Sequence, residues 1–112
     1  MDLLALGYFQ FNNLVENRVP FLLVNLGVDL TGLFNSVSMM SLENNTLNTT
    51  LEKASAEIAA KKLPPHFAIV SICRDGKESC QLAKMLEDQG VVNSYYVEGG
   101  CEEFAKQKAT QG

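Results

Sequence analysis

Two short apolar runs stand out along the chain: FLLVNL at residues 21–26 and FAIVSI at residues 67–72. Each is continuous rather than alternating and follows a proline or a proline pair, so each predicts a strand buried on both faces. A third run, VVNSYYV at residues 91–97, predicts a further strand. SVSMM at residues 36–40 alternates with period two and predicts a weaker one. Helical spacing lies between them. Phe11, Leu14 and Val15 recur at that spacing within residues 9–17. Leu51, Ala54, Ile58 and Ala59 form one apolar face of residues 49–63. Leu82, Ala83, Met85 and Leu86 give residues 79–89 a buried side, with Glu87 and Asp88 in solvent. A last helix is predicted over residues 102–109.

Punctuation agrees with this division. Thr49 with Glu52 fits a capping box at the start of the second helix, and Pro64 with Pro65 stops it. Ser79 can cap the third helix and Gly90 can close it in the left-handed region. Gly27 and Gly32 break the chain after the first strand, and Gly99 and Gly100 form a turn after the last. The Asn-rich stretch at residues 41–48 is expected to be a solvated loop. Strands alternating with helices predict an α/β fold: one domain over residues 1–112, with a mostly parallel central sheet of about five strands and helices on both faces. Tyr95 and Tyr96, neighbours in a strand, point to opposite faces, so at least one enters the core.

Charge narrows the function. The net charge is −4, with no basic stripe, which argues against general nucleic-acid binding. No apolar run is long enough to cross a bilayer, and the first residues lack the basic segment of a signal peptide. The three cysteines, Cys73, Cys80 and Cys101, are an odd count. They argue for a reducing, cytoplasmic setting rather than a disulfide framework. With His66 as the one histidine, their spacing is not that of a zinc site, so no metal is expected.

The candidate chemistry sits in CRDGKESC, residues 73–80, between a predicted strand and a predicted helix. In such sheets ligands bind beyond the carboxyl ends of the strands. A strand-to-helix turn leaves several backbone N–H groups without helical partners, and they can converge on an anion. A cysteine at the start of the turn places its sulfur near that point, where the same donors stabilise a thiolate. Gly76 lets the backbone curl, and Ser79 adds a hydroxyl. A buried, inert cysteine beside a commonplace glycine turn accounts for the same residues, so spacing alone leaves both readings open.

Taken with its surroundings, this segment resembles the second half of a rhodanese-like sulfurtransferase domain. That family shows an apolar strand, a loop of the form Cys-Arg-x-Gly-x-x-Ser, a helix ending before a glycine, a short strand, and a Gly-Gly pair with an aromatic residue four places on. Here the loop is Cys73, Arg74, Asp75, Gly76, Lys77, Glu78 and Ser79; the pair is Gly99 and Gly100; Phe104 stands where tryptophan is usual. In the first half, FLLVNLG resembles the strand that usually ends Asp-x-Arg, with Asn25 and Gly27 in those places. GLFNSVSMMSL resembles a segment in which Gly32 fits, while Leu33, Asn35 and Ser36 replace the usual histidine, proline and second glycine.

The resemblance implies a sulfurtransferase that needs no cofactor. Cys73 would take sulfane sulfur from a small anionic donor such as thiosulfate, or from another persulfide. It would then pass the sulfur to a thiol or a protein acceptor. The N–H groups of residues 74–79 would stabilise the charged sulfur, and Arg74 and Lys77 would help hold the donor. Asp75 and Glu78 cancel those two charges, and Glu78 stands where many active members place a basic side chain, so thiosulfate is expected to be a weak donor. A non-catalytic module that binds a partner or senses redox state is the alternative. The related cell-cycle phosphatases carry arginine six places after the cysteine; Ser79 stands there in this chain, which argues against phosphate-ester hydrolysis. Cys80 is expected to pack on its helix, with a resolving thiol for Cys73 as the other reading. Cys101 is expected half-buried by the Gly-Gly turn, and His66 at the end of the sheet opposite the loop.

Overall fold

The computed structural model of the chain describes residues 4–17, 19–30, 34, 36–64 and 66–111, with the backbone alone at 36–38, 41 and 111. Gly32, Leu33, Asn35 and Pro65 lie outside the described residues. Along the chain run β1 (Ala5–Leu6), α1 (Tyr8–Glu16), β2 (Leu22–Asn25), α2 (Ser36–Glu43), β3 (Thr46–Asn48), α3 (Leu51–Ala60), β4 (Ile69–Ile72), α4 (Lys77–Asp88), β5 (Ser94–Val97) and α5 (Gly100–Gln111). The strands form one sheet in the order β1-β5-β4-β2-β3, and every pairing is parallel. The fold is therefore α/β with a five-stranded parallel sheet, as expected, although only β2, β4 and β5 fall in the predicted runs.

The continuous apolar runs are explained by two cores, one on each face. Leu23, Val70, Ile72 and Val97 pack with Phe11 and Val15 of α1, Leu42 of α2 and Phe104 of α5. Leu22, Val24 and Ile69 pack on the other face with Ala54 and Ile58 of α3 and Leu82 and Leu86 of α4. Successive residues of β2 thus feed opposite layers, as the period of a strand requires. Phe104 is the hub of an aromatic cluster, with ring centroids 4.9 Å from Tyr8, 5.3 Å from Phe11 and 5.4 Å from Phe34.

Several elements differ from expectation. Residues 36–40 begin α2, not a strand: Leu42 is buried and Met39 packs on the same core, three residues apart, while Met40 is 68% exposed. Residues 41–48, expected as a loop, hold the end of α2 and all of β3, which pairs Leu23 with Thr46 and Asn25 with Asn48. β1 lies outside the predicted runs; its two residues pair with Tyr96 and Val97. At α3 the N-cap is Thr50, and the Thr49–Glu52 box does not form, because the Thr49 hydroxyl donates instead to Glu57 Oε1 at 2.6 Å. Ala59 and Met85 are exposed rather than packed. α4 does end before a left-handed Gly90, and Tyr96 is the buried tyrosine of its pair. α5 starts at Gly100, two residues earlier than predicted.

Candidate functional site

Because every strand runs the same way, β2, β3, β4 and β5 all end at one edge of the sheet. Cys73 is the first residue beyond β4 and is 2% exposed. Residues 74–76 bend away from the strand, and α4 begins at Lys77. Its N-cap is Gly76, at φ +91°, not Ser79. Ser79 lies inside the first turn of the helix, fully buried. That shift matters chemically, since it turns both the amide and the hydroxyl of Ser79 toward the sulfur.

Around Cys73 Sγ the donors are close. Gly76 N–H donates to it at 3.1 Å and Ser79 N–H at 3.4 Å, while Ser79 Oγ lies 3.3 Å away. One acceptor shares the site: Asp75 Oδ1 accepts from Cys73 Sγ at 3.8 Å and from the Lys77 N–H at 3.0 Å. The bond from Lys77 N–H holds the Asp75 carboxyl below the usual carboxylate range. Arg74, Asp75, Lys77 and Glu78 are all exposed around the buried sulfur.

The back of the loop is held by α5. Cys101 N–H donates to the Cys73 carbonyl at 2.8 Å and Glu102 N–H to the Arg74 carbonyl at 3.0 Å. Two otherwise orphaned donors of a helix start thus draw the loop carbonyls away from the sulfur. The approach needs Gly100, where a Cβ would stand 2.5 Å from the Cys73 carbonyl oxygen and 2.6 Å from the Gly76 nitrogen. In front, Arg74 Nε reaches Glu102 Oε1 at 2.8 Å, so the loop's guanidinium is already paired. Sequence reasoning brought together Cys73 and residues 74–79 and missed Glu102, which lies 28 residues from Arg74 and carries no local signal.

Beside this loop, β2 ends at Asn25, which is paired with Ile72 in register and is buried. Its carboxamide accepts Val28 N–H at 2.8 Å and donates to the Val28 carbonyl at 2.7 Å and to Asn48 Oδ1 at 3.1 Å. All three cysteines are free thiols. Cys80 and Cys101 are both half-buried; burial, then Asp29 and Glu102, push the Cys101 thiol up. His66 lies before β4, at the sheet edge away from the loop, where it lines an apolar depression with Leu63, Phe67 and Val91. Among the described residues no group of His, Cys, Asp and Glu could hold a metal, and no helix is long and apolar enough to cross a membrane.

Comparison with known proteins agrees with this fold. The family model of the rhodanese-like domain matches residues 25–107. A solved structure from Staphylococcus saprophyticus subsp. saprophyticus superposes with a TM-score of 0.62 at 20% identity, covering 89% of this chain and 91% of that one. A rhodanese-related protein from Thermoplasma volcanium gives a TM-score of 0.61 at 19% identity, over 92% and 91% of the two chains. No curated protein matches the sequence.

Proposed function

The chain belongs to the rhodanese-like domain family, and from that premise we propose that it is a sulfurtransferase working through a persulfide on Cys73. The observation that carries the reading is the set of donors on one buried sulfur: two backbone N–H groups within 3.4 Å and a hydroxyl at 3.3 Å. The donors are aimed at the sulfur before any reaction, where they would stabilise the charge that develops on it. In the first half-reaction the Cys73 thiolate attacks the outer sulfur of the donor. The bond between the donor's sulfurs breaks, and its electron pair leaves with the donor remnant. In the second, a thiol or thiolate acceptor attacks the outer sulfur of the Cys73 persulfide, and Cys73 is released as thiolate. The same N–H groups stabilise the charged sulfur in both halves.

Intact-mass measurement after incubation with a sulfane donor tests this. One added sulfur is expected, removed by cyanide and absent from the Cys73→Ser protein. A second reading, a module that binds a partner without catalysis, draws on the Arg74–Glu102 pair, which shares the loop's guanidinium with a carboxylate of α5. A failure of every sulfane donor to add sulfur to a folded protein would favour that reading.

A further inference from the structure

An open anion cradle presents N–H groups and cations to the incoming ligand. This one is partly closed by its own carboxylate. Asp75 Oδ1 takes the Lys77 N–H at 3.0 Å and lies 3.8 Å from Cys73 Sγ, so a negative charge stands beside the sulfur where a donor's anionic group must come. The Lys77 N–H bond holds this carboxyl low, which keeps it charged at neutral pH and makes it a poor proton acceptor. Arg74 turns its Nε to Glu102 at 2.8 Å, so its charge is shared with that carboxylate. Lys77 offsets Asp75 in part and is matched by Glu78. Cys73 is 2% exposed, so a donor approaches through the exposed residues of this loop.

Resting on the sulfur-transfer reading, we propose that Asp75 is a charge filter: the site draws its sulfur from an organic persulfide and turns away dianionic inorganic donors. A persulfide brings at most one negative charge to the transferred sulfur, and none in its protonated form, R–S–S–H, against the two charges of a dianion. The Cys73 thiolate attacks that outer sulfur, the R–S to S bond breaks, and R–S⁻ departs with the electron pair. Cys73 is left as Cys–S–S–H, with the proton carried over on the transferred sulfur. Charge and atoms balance without an oxidant or reductant. Asp75 acts on the donor by repulsion, and the hydrogen bonds it accepts from Lys77 N–H and Cys73 Sγ keep it in place.

The test compares initial rates of sulfur addition to Cys73, by intact mass, with thiosulfate and with cysteine persulfide. Asp75→Asn removes the charge and keeps an oxygen for the Lys77 N–H. The wild-type protein is expected to prefer the persulfide. The substitution is expected to raise the ratio of the thiosulfate rate to the persulfide rate about tenfold. Added salt should raise the wild-type thiosulfate rate, a readout that needs no variant. Equal rates in the wild type, or a substitution that moves both donors alike, overturns the filter while leaving sulfur transfer in place. Loading from neither donor overturns sulfur transfer itself, and the filter with it.

Discussion

Two neighbouring strands, β2 and β4, end side by side at the same edge of the sheet, and their ends are closed by opposite means. At β4 the backbone donates: Gly76 and Ser79 N–H groups point to a sulfur, and the loop carbonyls are taken up by α5 from behind. At β2 a side chain closes the turn, because the Asn25 carboxamide accepts from Val28 N–H and donates to the Val28 carbonyl. The first arrangement leaves a polarised atom with spare capacity. The second consumes its polar atoms internally. The difference separates a region built to stabilise charge from one built to hold shape, although both replace the hydrogen bonds a strand loses at its end.

Glycine substitutions put the largest strain on this comparison. Gly100→Ala forces a Cβ into the Cys73 and Gly76 backbone at a φ of +67°, and is expected to cost about 4 kcal/mol or to prevent folding. Gly27, beyond β2, is also left-handed, at φ +82°, yet a Cβ there meets nothing within 4 Å. Gly27→Ala should cost only about 1 kcal/mol. Urea unfolding of the pair checks both, and equal losses would erase the distinction. Next in size is Asn25→Ala, which leaves the Val28 N–H without its acceptor. A loss of about 2 kcal/mol is expected, with sulfur addition to Cys73 in the folded fraction changed by less than about twofold. A large fall in that rate at unchanged stability would move Asn25 from scaffold to chemistry.

The smallest effects belong to the loop's exposed charges. The partners of the Arg74–Glu102 pair are 87% and 61% exposed, so Arg74→Ala should change stability by less than about 0.5 kcal/mol. Asp75 should titrate below its usual 3.8, which a carbon-detected pH titration resolves. With the folded value lowered, the stabilisation it gives is present above the unfolded pKa. It is lost as pH falls through the folded one.

Much of the second half was legible because its signals are local. Residues 69–72 of FAIVSI are buried on both faces, and α4 ends at Asp88, one residue short of the predicted 89 and ahead of a left-handed Gly90. The misreadings have physical causes. Ser-Val-Ser-Met alternates like a strand, but Met39 and Leu42 meet the core at helical spacing. β3 has three residues, too few for a period, and is fixed by pairing with β2. Ser79 resembles a cap, but Gly76 starts the helix earlier and frees the serine to meet the sulfur. The hold of Cys101 and Glu102 on the loop depends on a tertiary approach across a glycine turn.

That hold also sets an order of assembly. The carbonyls of Cys73 and Arg74 are anchored by the first turn of α5, which follows every strand in the chain, and β5 is flanked by β1 from the opposite end. During synthesis from the N-terminus, β2, β3 and β4 can associate while the cysteine loop still lacks its backing. A nascent chain halted before Gly100 would carry the thiol without its rear support, and the sulfur would gain its finished surroundings only when the final helix docks.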